Sequence, residues 1–175
     1  AAAEAARAMY AEKLRAAGTS LAAVEVQKIS KALDVLLAER RNQIDPKRVA
    51  MIGLSYGGFY TLYTAALEPR IAVAVASCSF RDFPTEPLKS AEGRLIDLAS
   101  PELVALIAPR PLQVQAGVND KGFPIDDVRR GIAKARPHYD RLGLGDRFEF
   151  AEFDGGHEFR GDICWKFLAR HLHQA

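Results

Sequence analysis

A serine between glycines, a histidine in a glycine-rich loop and an aspartate lying between them in the chain are the residues whose types and spacing suit covalent chemistry. Gly53-Leu54-Ser55-Tyr56-Gly57 fits the pattern G-x-S-x-G. Small neighbours in that pattern permit the strained backbone that thrusts a serine out of a tight strand-to-helix turn. A serine hydroxyl is a poor nucleophile until a base takes its proton, and histidine has the pKa for that task. Of the four histidines, His171 and His173 belong to a terminal helix and His138 follows Pro137 on another. His157 stands in Asp154-Gly155-Gly156-His157, directly after the last expected strand, and is the expected base. The base needs a carboxylate to fix its tautomer. Asp120, in Ala116-Gly117-Val118-Asn119-Asp120-Lys121 after the third expected strand, is the expected carboxylate. Asp126 and Asp127 are its rivals, although their place at the start of an amphipathic helix suits charges that complement a helix N-terminus. The backbone N–H of Tyr56, which follows the nucleophile, is the expected first donor to a tetrahedral oxyanion. No H-G-G-G-like turn precedes Ser55 to supply a second. Phe83 and Phe123 are the expected substrate-binding walls.

Other chemistries fit less well. A glycine-rich helix start can simply pack close to a sheet, as in nucleotide folds. Here no lysine follows the glycines and no G-x-G-x-x-G exists, so phosphate cradling is disfavoured and no cofactor is expected. His157-Glu158-Phe159-Arg160-Gly161 has glycine where H-E-x-x-H needs its second histidine. Cys78 and Cys164 match no zinc spacing and read as buried thiols, so no metal is expected.

The elements that must position these groups follow from periodicity. The 175 residues are 49% hydrophobic and 26% charged, the range of an ordinary globular domain. Leu21, Val24, Ile29, Leu33, Leu36 and Leu37 form a helical stripe that Thr19 or Ser20 can cap, and Asn42 to Pro46 reads as a turn. Arg48 to Gly53 is a short continuous apolar run, expected as a central parallel strand covered on both faces. Phe59 to Leu67 is a helix, Ile71 to Ala76 a second strand, and Phe80 to Ser90 a polar loop of the kind that carries chemistry. Pro101 to Ile107 is a helix and Leu112 to Ala116 a third strand. Ile125 to Leu142 is a helix that Pro137 should kink or split. Arg147 to Phe153 alternates strictly, as an edge strand does, and Ile163 to His171 closes the chain as a helix. The fold class is α/β, a mostly parallel sheet with flanking helices, whose ligands gather at the carboxyl ends of the strands.

A formal net charge of +2 argues against a nucleic-acid partner. No apolar run approaches the ~20 residues a membrane-spanning helix needs. The alanine-rich opening carries Glu4 and Arg7 and lacks the layout of a secretory signal, which favours a cytoplasmic location.

Asp45-Pro46-Lys47-Arg48-Val49, Gly53 to Gly58, Ile107-Ala108-Pro109-Arg110-Pro111-Leu112 and Gly155-Gly156-His157-Glu158-Phe159 together resemble α/β-hydrolases of the acetyl xylan esterase-like and dienelactone hydrolase-like branch. The chain order Ser55, Asp120, His157 is the order of that superfamily. The resemblance implies a nucleophile at Ser55, an acid at Asp120 and a base at His157. It also implies hydrolysis of carboxylic esters, acetyl or other short-acyl esters, possible on carbohydrates, through an acyl-enzyme. Dienelactone hydrolases proper use a cysteine where this chain has Ser55. Prolyl-oligopeptidase-type peptidases are similar around Ser55-Tyr56-Gly57-Gly58, which makes peptide cleavage the second reading; a non-catalytic α/β module is the third. The four expected strands match the second half of the superfamily's sheet, so residues 1–175 are expected to form one α/β-hydrolase domain lacking the N-terminal strands.

Overall fold

The computed structural model describes residues 2–40, 43–83, 88–89, 95–96 and 98–172. Asn42, residues 84–87, residue 90 and His173 therefore lie outside the described residues. Two helices open the chain, α1 (Ala2–Ala16) and α2 (Leu21–Glu39). Ser20 rather than Thr19 caps α2: its extended backbone lets the hydroxyl accept from Ala23 N at 3.0 Å. The apolar runs become strands β1 (Val49–Leu54), β2 (Ile71–Ser77), β5 (Leu112–Gly117) and β6 (Phe148–Phe153). Between β2 and β5 lies a short antiparallel pair, β3 (Leu88–Lys89) and β4 (Leu95–Ile96), within and just beyond the expected loop. The remaining helices are α3 (Tyr56–Leu67), α4 (Ser100–Ile107), α5 (Ile125–Asp140) and α6 (Gly161–Leu172).

The main sheet is parallel, in the order β1-β2-β5-β6. Residues of β2 that face one way, Ala74 and Ala76, join a core with Leu62 and Phe59 of α3, Val104 of α4 and Ile132 and Tyr139 of α5. Val73 and Val75 face the other way and pack on Cys164, Phe167 and Leu168 of α6. Helices thus cover both faces, and β2 and β5 are buried almost throughout.

Two expectations need correction. β1 is not central: among the described residues it is an edge strand, and Ile52 and Leu54 are 37% and 36% exposed. Its apolar run reflects cover above and below, from the α3 side at Met51 and the α6 side at Ala50, rather than a neighbour on each flank. α5 is not split by Pro137 and runs on to Asp140. The proline sits in the last turn, where it removes one backbone bond, and Arg141 N closes on Pro137 O at 3.2 Å. β6 is the other edge, as its alternation implies.

Candidate active site

The carboxyl ends of β1, β5 and β6 bring three side chains to one cavity of about 520 Å³. Its lining comprises Ser55, Asn119 to Phe123 and His157.

Ser55 links β1 to α3 with φ 58° and ψ −120°, a conformation that side chains rarely adopt. The turn that imposes it depends on glycine at two places. A Cβ on Gly53 would overlap the Gly57 carbonyl, and one on Gly58 would lie 2.8 Å from Ser77 O and overlap the Ser79 hydroxyl. Gly57, the last residue of the pentapeptide, has nothing within 4 Å of such a Cβ. Gly58, outside the pattern, is sterically required where Gly57 is not. Ser55 N donates to Ser77 O at 2.9 Å, which fixes the turn to β2, and Phe59 N donates to Ser55 O at 2.9 Å as the helix begins. The Tyr56 N–H is in the first turn of α3, where backbone donors have no intrahelical acceptor.

Asp120 and His157 are held together by their loops. Val118 N donates to Phe153 O at 3.0 Å and Asn119 N to Gly155 O at 2.9 Å, extending the β5 to β6 contact past the strand ends. Gly117 permits this approach, since a Cβ there would strike the Gly155 and Gly156 carbonyls. Asp120 is 5% exposed. Its Oδ1 accepts from Gly122 N at 2.8 Å and Phe123 N at 3.2 Å, and its Oδ2 lies 2.8 Å from His157 Nδ1. Burial pushes the Asp120 pKa up, but hydrogen bonds from His157, Gly122 N–H and Cys78 outweigh it and hold the carboxyl below its ordinary value. Phe123 stacks on the His157 ring at 5.7 Å, with 14° between the planes.

The expected walls are only half placed there. Phe123 lines the cavity and Phe83 does not. The Arg81 guanidinium intervenes: it stacks on Phe83 at 5.3 Å and on Phe123 at 4.5 Å, and donates to Gly122 O at 3.3 Å. The rivals of Asp120 are occupied elsewhere, Asp126 with Arg129 at 3.0 Å and Asp127 with Arg130 at 2.5 Å, in the first turn of α5. His138 is in the last turn of α5, and His171 is buried in α6 against Phe167.

A profile of the "Prolyl oligopeptidase family" matches residues 8–95, the half of the chain that contains the serine turn. The chain belongs to the prolyl oligopeptidase family. Its superfamily is the one the motifs indicate, and its family the one that Ser55-Tyr56-Gly57-Gly58 resembles. "Putative hydrolase YtaP" of Bacillus subtilis (strain 168) is 30% identical over 136 residues, covering 72% of this chain and 45% of the relative. In three dimensions the chain is similar to a carbohydrate esterase family 15 glucuronoyl esterase from Caldicellulosiruptor kristjansonii, with TM-score 0.74, 22% identity, and 90% and 52% of the two chains covered. It is also similar to a glucuronoyl esterase from Solibacter usitatus, with TM-score 0.67, 19% identity, and 87% and 48% covered. These likenesses establish the α/β-hydrolase fold. The chain spans about half the length of the proteins it matches.

Two features of this prolyl oligopeptidase family member escape sequence reasoning. Arg7 of α1 lies over the Tyr56 ring at 4.1 Å and donates to the Tyr60 hydroxyl at 2.8 Å, tying α1 to the helix that begins at the serine. Cys78, at the end of β2, is 1% exposed with φ 46° and sits beside Asp120. An isolated alanine-rich opening and a thiol in an apolar strand carry no local signal of either contact.

Proposed function

We propose that this chain carries the catalytic residues of a serine hydrolase that cleaves carboxylic esters. The observation that carries the reading is the 2.8 Å contact between His157 Nδ1 and Asp120 Oδ2, at the rim of the cavity that Ser55 also lines. With Nδ1–H given to Asp120, Nε2 is the free base. It takes the Ser55 proton as Oγ attacks the ester carbonyl, while Tyr56 N–H supports the oxyanion. Collapse passes that proton to the departing alcohol and leaves an acyl group on Ser55. Water, deprotonated by the same nitrogen, then releases the acid and restores the serine. Asp120 keeps its charge throughout, and its carboxyl, held below the ordinary range, suits that task.

The similar structures are glucuronoyl esterases, which makes short-acyl and carbohydrate esters the first substrates to try. Peptide cleavage is the second reading, favoured by the family match. A fluorophosphonate probe should leave an adduct on Ser55 in folded protein; peptide mass spectrometry finding none would refute the nucleophile. Short acyl esters and proline-containing peptides compared directly separate the two substrates, and faster turnover of the peptides would overturn the ester reading.

A further inference from the structure

Cys78, Asp120 and His157 each offer a donor atom within 4.8 Å of the other two. We propose that Cys78 Sγ, an Asp120 carboxylate oxygen and His157 Nδ1 form an inhibitory binding site for Zn²⁺. No sequence spacing announces it, because the ligands come from the ends of β2, β5 and β6.

The donor set is a thiolate, a carboxylate and an imidazole, three ligand types that zinc takes at about 2.0–2.3 Å. Tetrahedral placement at those lengths separates ligand atoms by roughly 3.3–3.8 Å, so a spread of 4.8 Å needs a closing movement of about 1 Å. His157 Nδ1 and Asp120 Oδ2 are already 2.8 Å apart and would open slightly to admit the ion. Charge also matches: one thiolate and one carboxylate neutralise the divalent ion, so no net charge is left in a buried site. Asp120 is fixed from behind by Gly122 N–H and Phe123 N–H, the outer support that metal ligands need. Asp120 and His157 line the cavity, which gives the ion its approach, and Cys78 lies behind them, 1% exposed.

The consequence follows from proton accounting. Cys78 releases its S–H proton to solvent on coordination. His157 remains neutral, so once Nδ1 binds the ion its single proton resides on Nε2. Nε2 is then a donor and can no longer accept the Ser55 proton. This inhibitory effect rests on His157 being the base; the metal site itself does not.

Cadmium and zinc titrations of the purified protein test it. Cd²⁺ should bind with a thiolate-to-metal charge-transfer band that vanishes in Cys78→Ser and persists in Cys164→Ser, whose thiol is buried with Phe167 and Leu168 against Val73 and Val75. Zn²⁺, followed by competition with a chromophoric chelator, should bind one equivalent, roughly tenfold or more weaker in Cys78→Ser and again in His157→Gln. Ester turnover should fall with added Zn²⁺ and return with chelator. Measured against its own metal-free rate, Cys78→Ser should need roughly tenfold or more Zn²⁺ for the same fractional inhibition. A cadmium band that survives in Cys78→Ser, or zinc affinity unchanged in both Cys78→Ser and His157→Gln, would overturn the site while leaving the ester reading standing. A Cys78-dependent band in protein that turns over no ester would support the site and count against the ester reading instead.

Discussion

Replacing Asp120 with Asn isolates what the carboxylate does, because the surrounding donors dictate how the amide must lie. Oδ1 of Asp120 accepts from Gly122 N at 2.8 Å and Phe123 N at 3.2 Å. An asparagine that turned its NH₂ towards those two backbone donors would lose both bonds, so its carbonyl oxygen takes the Oδ1 place. The NH₂ then faces His157 Nδ1 across what is now a 2.8 Å hydrogen bond. A donor there forces Nδ1 to accept, and the imidazole proton moves to Nε2. His157 keeps its position and loses its function as a base. Stability should fall little, since one charge-assisted hydrogen bond becomes a neutral one: about 1 kcal/mol, or roughly 2–4 °C in Tm for a chain of this size.

Turnover should fall much further. A base held in the wrong tautomer costs about ten-thousandfold in a triad, or about 5.5 kcal/mol of transition-state stabilisation. Hydrolysis of a short acyl ester, with fluorophosphonate labelling of Ser55 as a second readout, measures the loss, and circular dichroism melts check the fold. A folded Asp120→Asn protein retaining more than about a tenth of wild-type kcat/KM would refute the claim that Asp120 sets the His157 tautomer.

Further outcomes follow from the same geometry. His157→Ala should slow ester hydrolysis by about three orders of magnitude or more, because triad members act as a unit; a near-unchanged rate would remove His157 from the role of base. Gly58→Ala, whose new Cβ lies 2.8 Å from Ser77 O, should cost about 1–3 kcal/mol in denaturant unfolding, whereas Gly57→Ala, with open space around it, should change stability by less than about 1 kcal/mol. Equal effects would show that the turn is not closed by contact with β2. Arg70 hydrogen-bonds Glu68 at 2.6 and 2.7 Å and holds its carboxyl at about 2, down from an ordinary 4.5. Since the folded pKa is the lower one, this pair stabilises fully above about pH 4.5 and progressively less as pH falls to about 2. Glu68→Gln should remove about 1–2 kcal/mol of that acid sensitivity, a value reduced for the solvent around Arg70. Acid melts of the two proteins with parallel slopes between pH 4.5 and 2 would contradict the assignment.

The parts of the site legible in the sequence are those whose strain or placement leaves a local mark. A serine at φ 58° needs a backbone neighbour without a side chain, and Gly53 records that need beside it. His157 and Asp120 follow strands directly, so reading the strands reads the rim. Neighbours along the sheet leave no such mark. The apolar run of β1 records helices above and below, which is why it reads as central although the described sheet ends there. Contacts made at right angles to the chain are equally silent. Arg81 stacks on both Phe83 and Phe123 while only Phe123 lines the cavity, and a periodicity argument sees only two aromatics near a loop.

Cys78 gives the sharpest case. Its apolar strand predicts burial correctly, 1% exposed, yet burial here is beside an ionised carboxylate rather than within a hydrocarbon core. Sequence distributes the three potential zinc ligands over Cys78, Asp120 and His157, and only parallel strands β2, β5 and β6 lying side by side return them to one point. The topology that assembles Asp120 and His157 at the sheet's carboxyl rim therefore also delivers the residue that follows the adjacent strand. A thiol in that place gives Asp120 and His157 a third partner which, in the proposed zinc site, competes through the metal ion for the same imidazole nitrogen.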